Sequence, residues 1–323
     1  MPVLLCSADT VAGQVGLVVK DGPSAYRWRG AVCTGRGPLA VAGGGGGVAF
    51  VALSVSDEVL VLDLVRSRVA GRVRVGWAPR GVAAVAGTPY LLVSCAGSDA
   101  VSVVEVEAGR EVVRLVVGRE PGALAVSDDG RAACVCERGA GSVAVLDLTG
   151  LLDGRPERVR VVSRTGLGAH AQPRGLVERG GHLLVACRLL DVLPVVEVAS
   201  GRVVDSVGLP VPGGGPASVL AVGNGFALVT LERAGVVAVV DLLEWSVTRL
   251  IAVGGGPRGL TVDPADRTVY VALARQRSVA VVHLDGVDLS NEDGIPQFED
   301  ITVGAGPSGV TVVYTDLLLP ESG

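Results

Sequence analysis

A proline set after a glycine-rich turn and before an apolar run recurs seven times, at Pro38, Pro79, Pro121, Pro173, Pro216, Pro257 and Pro307. The successive intervals are 41, 42, 52, 43, 41 and 50 residues. Such an interval holds four short strands with their turns, which is one blade of a β-propeller. A helical repeat of similar length would instead space its apolar residues by three and four and carry no Pro-Gly turn at each boundary. Composition agrees with strands. Hydrophobic residues make up 49% of the 323, yet only 3% are aromatic, so Val, Ala and Leu supply the apolar runs, and β-branched runs favour the pleated surface of a sheet. Gly (47) and Pro (17) are spread through these runs as turn punctuation.

Within a period the second and third runs read as strands, for example 48–53 followed by 58–64. Third runs such as 142–147, 236–241 and 278–283 end on a polar or acidic residue. Fourth runs such as 110–117 mix charge with apolar residues, as an outer strand must to discourage edge pairing. After Pro307 only one strand remains, 309–315, whereas three candidates precede Pro38, at 3–6, 15–19 and 25–32. Together they make one blade. The chain is therefore expected to be all-β: a seven-bladed β-propeller of four-stranded antiparallel blades, the last closed by both termini, forming a single domain over 1–323. Blades are numbered one to seven from Pro38 to Pro307.

The stretch 267–282, with Tyr270-Val-Ala-Leu273 inside it, and the preceding 253–263 resemble the YVTN-repeat β-propellers, which are related to the lactonase-type seven-bladed propellers. The Tyr-Val-Thr-Asn stretch appears in altered form, as Phe50-Val-Ala-Leu53, Leu92-Val-Ser-Cys95 and Tyr270-Val-Ala-Leu273. No Trp-Asp dipeptide occurs, which makes the WD40 group a poorer match. The resemblance implies the fold, and propellers host both binding modules and enzymes.

Charge and patterning narrow the partners. The formal net charge is −5, with Lys20 the single lysine, so no positive excess drives binding to nucleic acid. No run approaches the roughly 18 apolar residues of a membrane span, and the first residues lack the charged and apolar regions of a signal peptide. A cytoplasmic protein bound to neither nucleic acid nor membrane is the expectation. The six cysteines lack paired spacing and are expected as free, mostly buried thiols, with no metal site. No cofactor is assigned. Glycines 43–47 are not followed by Gly-Lys-Ser/Thr and open no helix, so they read as an enlarged hairpin turn and not as a phosphate loop.

Three of the seven prolines are followed by Arg-Gly, giving Arg80, Arg174 and Arg258 in blades two, four and six. The turn into an innermost strand runs toward the central channel, so these arginines are expected around one channel mouth as an anion-binding site. His170, close before Pro173 in what reads as the longest connection between blades (163–172), is the candidate general base, with Glu137 and Glu232 as carboxylate partners. Cys6, Cys95 and Cys187 are read as sharing one repeat position with Glu137, as packing thiols between blades. The acidic stretch 285–300 lacks EF-hand spacing and reads as a solvated insertion. The best reading is a propeller that binds a small anionic molecule or a protein partner at the channel mouth. The alternative is a propeller enzyme, a lactonase-like hydrolase or isomerase, acting on a small anionic or lactone substrate there.

Overall fold

In a computed structural model, described over residues 3–22, 25–223, 225–263, 265–290 and 296–314, seven four-stranded antiparallel sheets follow one another along the chain. Each of the seven prolines is the first residue of an innermost strand: Pro38–Gly45, Pro79–Ala84, Pro121–Val126, Pro173–Arg179, Pro216–Val222, Pro257–Asp263 and Pro307–Tyr314. Proline suits that position because its fixed φ starts an extended run and its missing N–H leaves no ladder donor idle. The residue before it adopts positive φ. Glycine supplies this at Gly37, Gly215, Gly256 and Gly306, while Ala78, Glu120 and Gln172 adopt φ near 50°. At two of these strained residues an aspartate from the preceding blade holds the amide: Ala78 N–H donates to Asp57 (2.8 Å) and Glu120 N–H to Asp99 (2.8 Å).

Directly after the proline the ladder slips. Pro79 opposes Cys95 and Gly81 opposes Ser94, so Arg80 is left unpaired; Arg174 is skipped in the same way between Pro173 and Gly175. In blade six Arg258 and Gly259 are both skipped. Such a bulge turns the extra side chain out of the ladder. The glycine that follows has its own cause. A Cβ on Gly81 would lie 2.5 Å from Gly122 O, one on Gly175 2.7 Å from Ser218 Cα, and one on Gly259 2.7 Å from Ser308 O. The next blade's innermost strand comes too close for any side chain there.

The seventh sheet joins Pro307–Tyr314 to Val3–Asp9, Gln14–Gly22 and Ala25–Cys33, with Val3 opposite Tyr314 and Ala8 opposite Gly309. Closure by one C-terminal and three N-terminal strands is thus as expected. Second and third strands carry the core, whose apolar clusters lie between adjacent blades. Two expectations need correction. The 52-residue interval comes from residues 148–159, which hold the helical turn Thr149–Leu152 between the third and fourth strands of blade three; the connection between blades is only 167–172. The glycine run is mostly strand, since Pro38–Gly45 meets Val48–Leu53 across Gly46 and Gly47 alone. In the acidic stretch, residues 291–295 lie outside the described residues, and Glu299 and Asp300 belong to the outer strand Gln297–Thr302.

The seam between blades six and seven is pinned by the lysine. Lys20 Nζ donates to Asp263 (2.9 Å) and to Asp266, and Tyr314 Oη donates to Asp263 at 2.6 Å. Lys20 and Asp263 have 8% and 2% of their side chains exposed, so loss of either leaves a buried charge without its counter-ion. Burial works against the charged form of Lys20, and the hydrogen bonds and charges of Asp266 and Asp263 overcome it and hold its pKa above the ordinary value. For Asp263 burial is likewise outweighed, by Tyr314 and Lys20, and its pKa lies below 3.8.

Two predictions follow from this packing. Lys20→Met should lower unfolding stability in urea by about 3–5 kcal/mol, the usual cost of breaking a buried pair. Because the Asp263 pKa is depressed, the stability it contributes is complete above pH 3.8 and disappears as pH falls through its folded value; the acid-unfolding curve of the variant should lack that step. Second, all six cysteines are free, Cys33 alone is exposed, and burial pushes Cys6, Cys134 and Cys187 up to about 12. A thiol reagent at neutral pH should modify one thiol in the native protein and six after denaturation.

Candidate functional site

Arg80, Arg174 and Arg258 line one cavity of about 370 Å³ at the channel, joined there by Arg138. Proline, bulge and glycine together account for the placement: the bulge ejects the arginine, and the close approach of the next innermost strand leaves the channel as the open direction. The rest of the lining carries no charged side chain. It is formed by residues such as Val41, Val82, Leu124, Leu260 and Val310 and by glycines of the innermost strands.

Two carboxylates belong to this mouth. Glu232 accepts from Arg174 Nη1 at 2.7 Å and from Arg258 Nε at 2.8 Å, one oxygen for each guanidinium. Burial raises the Glu232 pKa, but the hydrogen bond and charge of Arg258, then those of Arg174, overcome this and leave it below the ordinary carboxylate value. Arg174 is shifted downward, first by burial and then by the like charges of Arg188 and Arg258, against the pull of Glu232. Arg80 is shifted downward by burial and by Arg138, with Glu120 opposing from a distance. Its Nε is closed off from water and has no acceptor among the described residues. Arg138 donates through Nε (3.1 Å) and Nη2 (2.6 Å) to a single oxygen of Glu120.

The other expected residues lie apart. Glu137 is fully buried and committed: Oε1 accepts Gly118 N–H at 2.6 Å, and Oε2 accepts Ser142 Oγ at 2.6 Å and Arg164 Nε at 2.7 Å. It fastens the turn into blade three and does not line the cavity. His170 is exposed and makes no hydrogen bond to Glu137 or Glu232. Register explains why the two glutamates part. Glu137 is still in its strand, opposite Pro121, whereas in blade five Leu231 opposes Pro216 and Glu232 is one residue further on. One residue reverses the direction of a side chain in a strand. The position of Glu232 corresponds to Arg138, the cavity-lining arginine not anticipated from sequence, and to Arg188, which does not line the cavity; their shared place just after the second strand was the available signal. Cys95 and Cys187 do share the Glu137 position, opposite Pro79 and Pro173, but Cys6 does not: it faces Thr311, and Asp9 opposes Pro307. Asp9 does for blade seven what Glu137 does for blade three, accepting Gly304 N–H at 3.0 Å. Among the described residues no three His, Cys, Asp or Glu side chains converge as a metal site would require, and no helix is long and apolar enough to cross a membrane.

The model of the YNCE-like beta-propeller family matches residues 25–156 and again 126–267. Among curated proteins none matches the chain by sequence. Similar solved structures include a proposed 6-phosphogluconolactonase from Bacteroides fragilis, 11% identical, covering 97% of this chain and 98% of its own with a TM-score of 0.81. The periplasmic gluconolactonase of Pseudomonas aeruginosa is 17% identical, covers 99% and 100%, and gives 0.77. Hydrazine synthase of Kuenenia stuttgartiensis is 19% identical over 86% of this chain and 96% of that one, at 0.64. Identities this low carry the fold and nothing more.

Glu232 is the hinge of the mouth's charge balance. Glu232→Gln removes the shared counter-ion of Arg174 and Arg258 and should lower stability by about 1–3 kcal/mol, the cost of leaving charged donors unmatched. Urea unfolding measures it, and added phosphate should restore part of the loss by supplying an acceptor.

Proposed function

The chain belongs to the YNCE-like β-propeller family, and from that premise we propose that it is a binding protein whose channel mouth takes a small anionic molecule. The observation that carries this reading is the convergence of Arg80, Arg138, Arg174 and Arg258 on one cavity of a chain whose net charge is −5. Positive charge is concentrated where the innermost strands open, against the sign of the whole molecule. Guanidinium forks suit carboxylate and phosphate oxygens, and a partly desolvated cavity strengthens such bonds over those in water. The lining below the arginines bears no charged side chain, so the ligand's negative group belongs at the mouth and its body in the bore.

Calorimetric titration with butyl phosphate, and separately with butyrate, tests the proposal. One site per chain is expected, with affinity falling as ionic strength rises because the rim is open to solvent. Absence of binding by both anions at low salt would overturn it.

A further inference from the structure

Accepting that reading of the mouth, its two halves are not alike. On one side Arg174 and Arg258 already have an acceptor: Glu232 gives an oxygen to each. On the other, Arg80 from blade two stands beside Arg138 from the turn between the second and third strands of blade three. The Arg138 charge disfavours that of Arg80, and among the described residues it is Glu120, with 51% of its side chain exposed, that opposes this. Arg80 Nε is shut away from water without an acceptor among the described residues. Both bonds made by Arg138 fall on one oxygen of Glu120, through Nε and Nη2, and leave Nη1 uncommitted among the described residues. A buried donor without an acceptor is costly, and two adjacent cations against one half-exposed carboxylate add to that cost. An oxyanion bridging Arg80 and Arg138 removes the second of these penalties, whereas at Arg174 and Arg258 it would have to compete with Glu232. Arg188 also has an unpartnered Nε, but it does not line the cavity.

We infer that Arg80 and Arg138 form the subsite for the ligand's anionic group, a phosphate monoester or carboxylate. Its uncharged body lies against Gly81, Val82, Ala123 and Leu124. The Arg174, Glu232 and Arg258 clamp closes the far side of the mouth as a pre-neutralised wall.

Butyl phosphate is titrated into the wild-type chain and into R80Q, R138Q, R258Q and R110Q, the last removing an exposed arginine on the outer strand of blade two. R80Q and R138Q should each weaken binding by about tenfold or more, the worth of one charge-assisted hydrogen bond. R258Q should cost less than either, and R110Q no more than about twofold, the effect of one distant surface charge. R80Q removes a buried unsatisfied donor, so its thermal midpoint should hold or rise. Should it not fold, R80K keeps the charge without the planar fork and should still weaken binding measurably. A larger loss in R258Q than in R80Q and R138Q, or equal losses in all four variants, overturns this assignment while leaving anion binding at the mouth intact. Failure of the wild-type chain to bind both butyl phosphate and butyrate overturns the assignment together with the reading of the mouth on which it rests.

Discussion

The distance between neighbouring innermost strands governs the rest of this structure. Where Gly81, Gly175 and Gly259 face the next blade there is no room even for a methyl group. That contact sets the diameter of the channel, and it fixes what may flank each glycine: a proline that opens the strand and a bulged residue whose side chain has the channel as its free direction. The positive φ before each proline belongs to the same device, because the chain must turn sharply to enter a strand so close to its neighbour. The arginine mouth is therefore a by-product of ring geometry put to use, at whichever repeats the bulged position is arginine.

Electrostatics then divides equivalent positions by context. The residue after the second strand is glutamate in blade five and arginine in blades three and four. Glu232 neutralises two bulged arginines at once, and Arg138 crowds a third. A seven-fold frame thus yields a lopsided mouth, neutralised in one arc and cationic in another. Asp9 and Glu137 show the opposite use of a carboxylate. One position earlier, the side chain turns back to hold the glycine amide of the incoming turn and serves the frame alone.

Much of this was legible in the residues. The prolines mark strand starts because proline has no ladder donor to lose at the first residue of a strand, and the strand count at the two ends required a shared blade. Arg80, Arg174 and Arg258 were recognisable since each sits in the same three-residue setting. Side-chain direction was less accessible, being decided by the parity of one residue: Glu137 and Glu232 both follow an apolar run, and only the pairing register tells that one is inside its strand and the other past it. The same ambiguity hid Arg138 and Arg188 and drew Cys6 into a set to which it does not belong. The insertion at 148–159 was misplaced for another reason: Leu148, Leu151 and Val159 are buried and extend the apolar pattern of the blade, so nothing in hydropathy sets them off.

The seam between blades six and seven holds the molecule's single lysine, nearly enclosed by Asp263 and Asp266. Residues 303–306 join blade six to the innermost strand of blade seven, but the three N-terminal strands, one of which carries Lys20, are held to that strand and to blade six by non-covalent contacts alone. The one ε-amine thus bridges the closure of the ring, which can part without breaking a covalent bond. An amine-directed acylating reagent, which finds no other lysine on the surface, would acquire its side-chain target only in molecules whose ring has opened, making the rate of Lys20 acylation a direct clock for that motion.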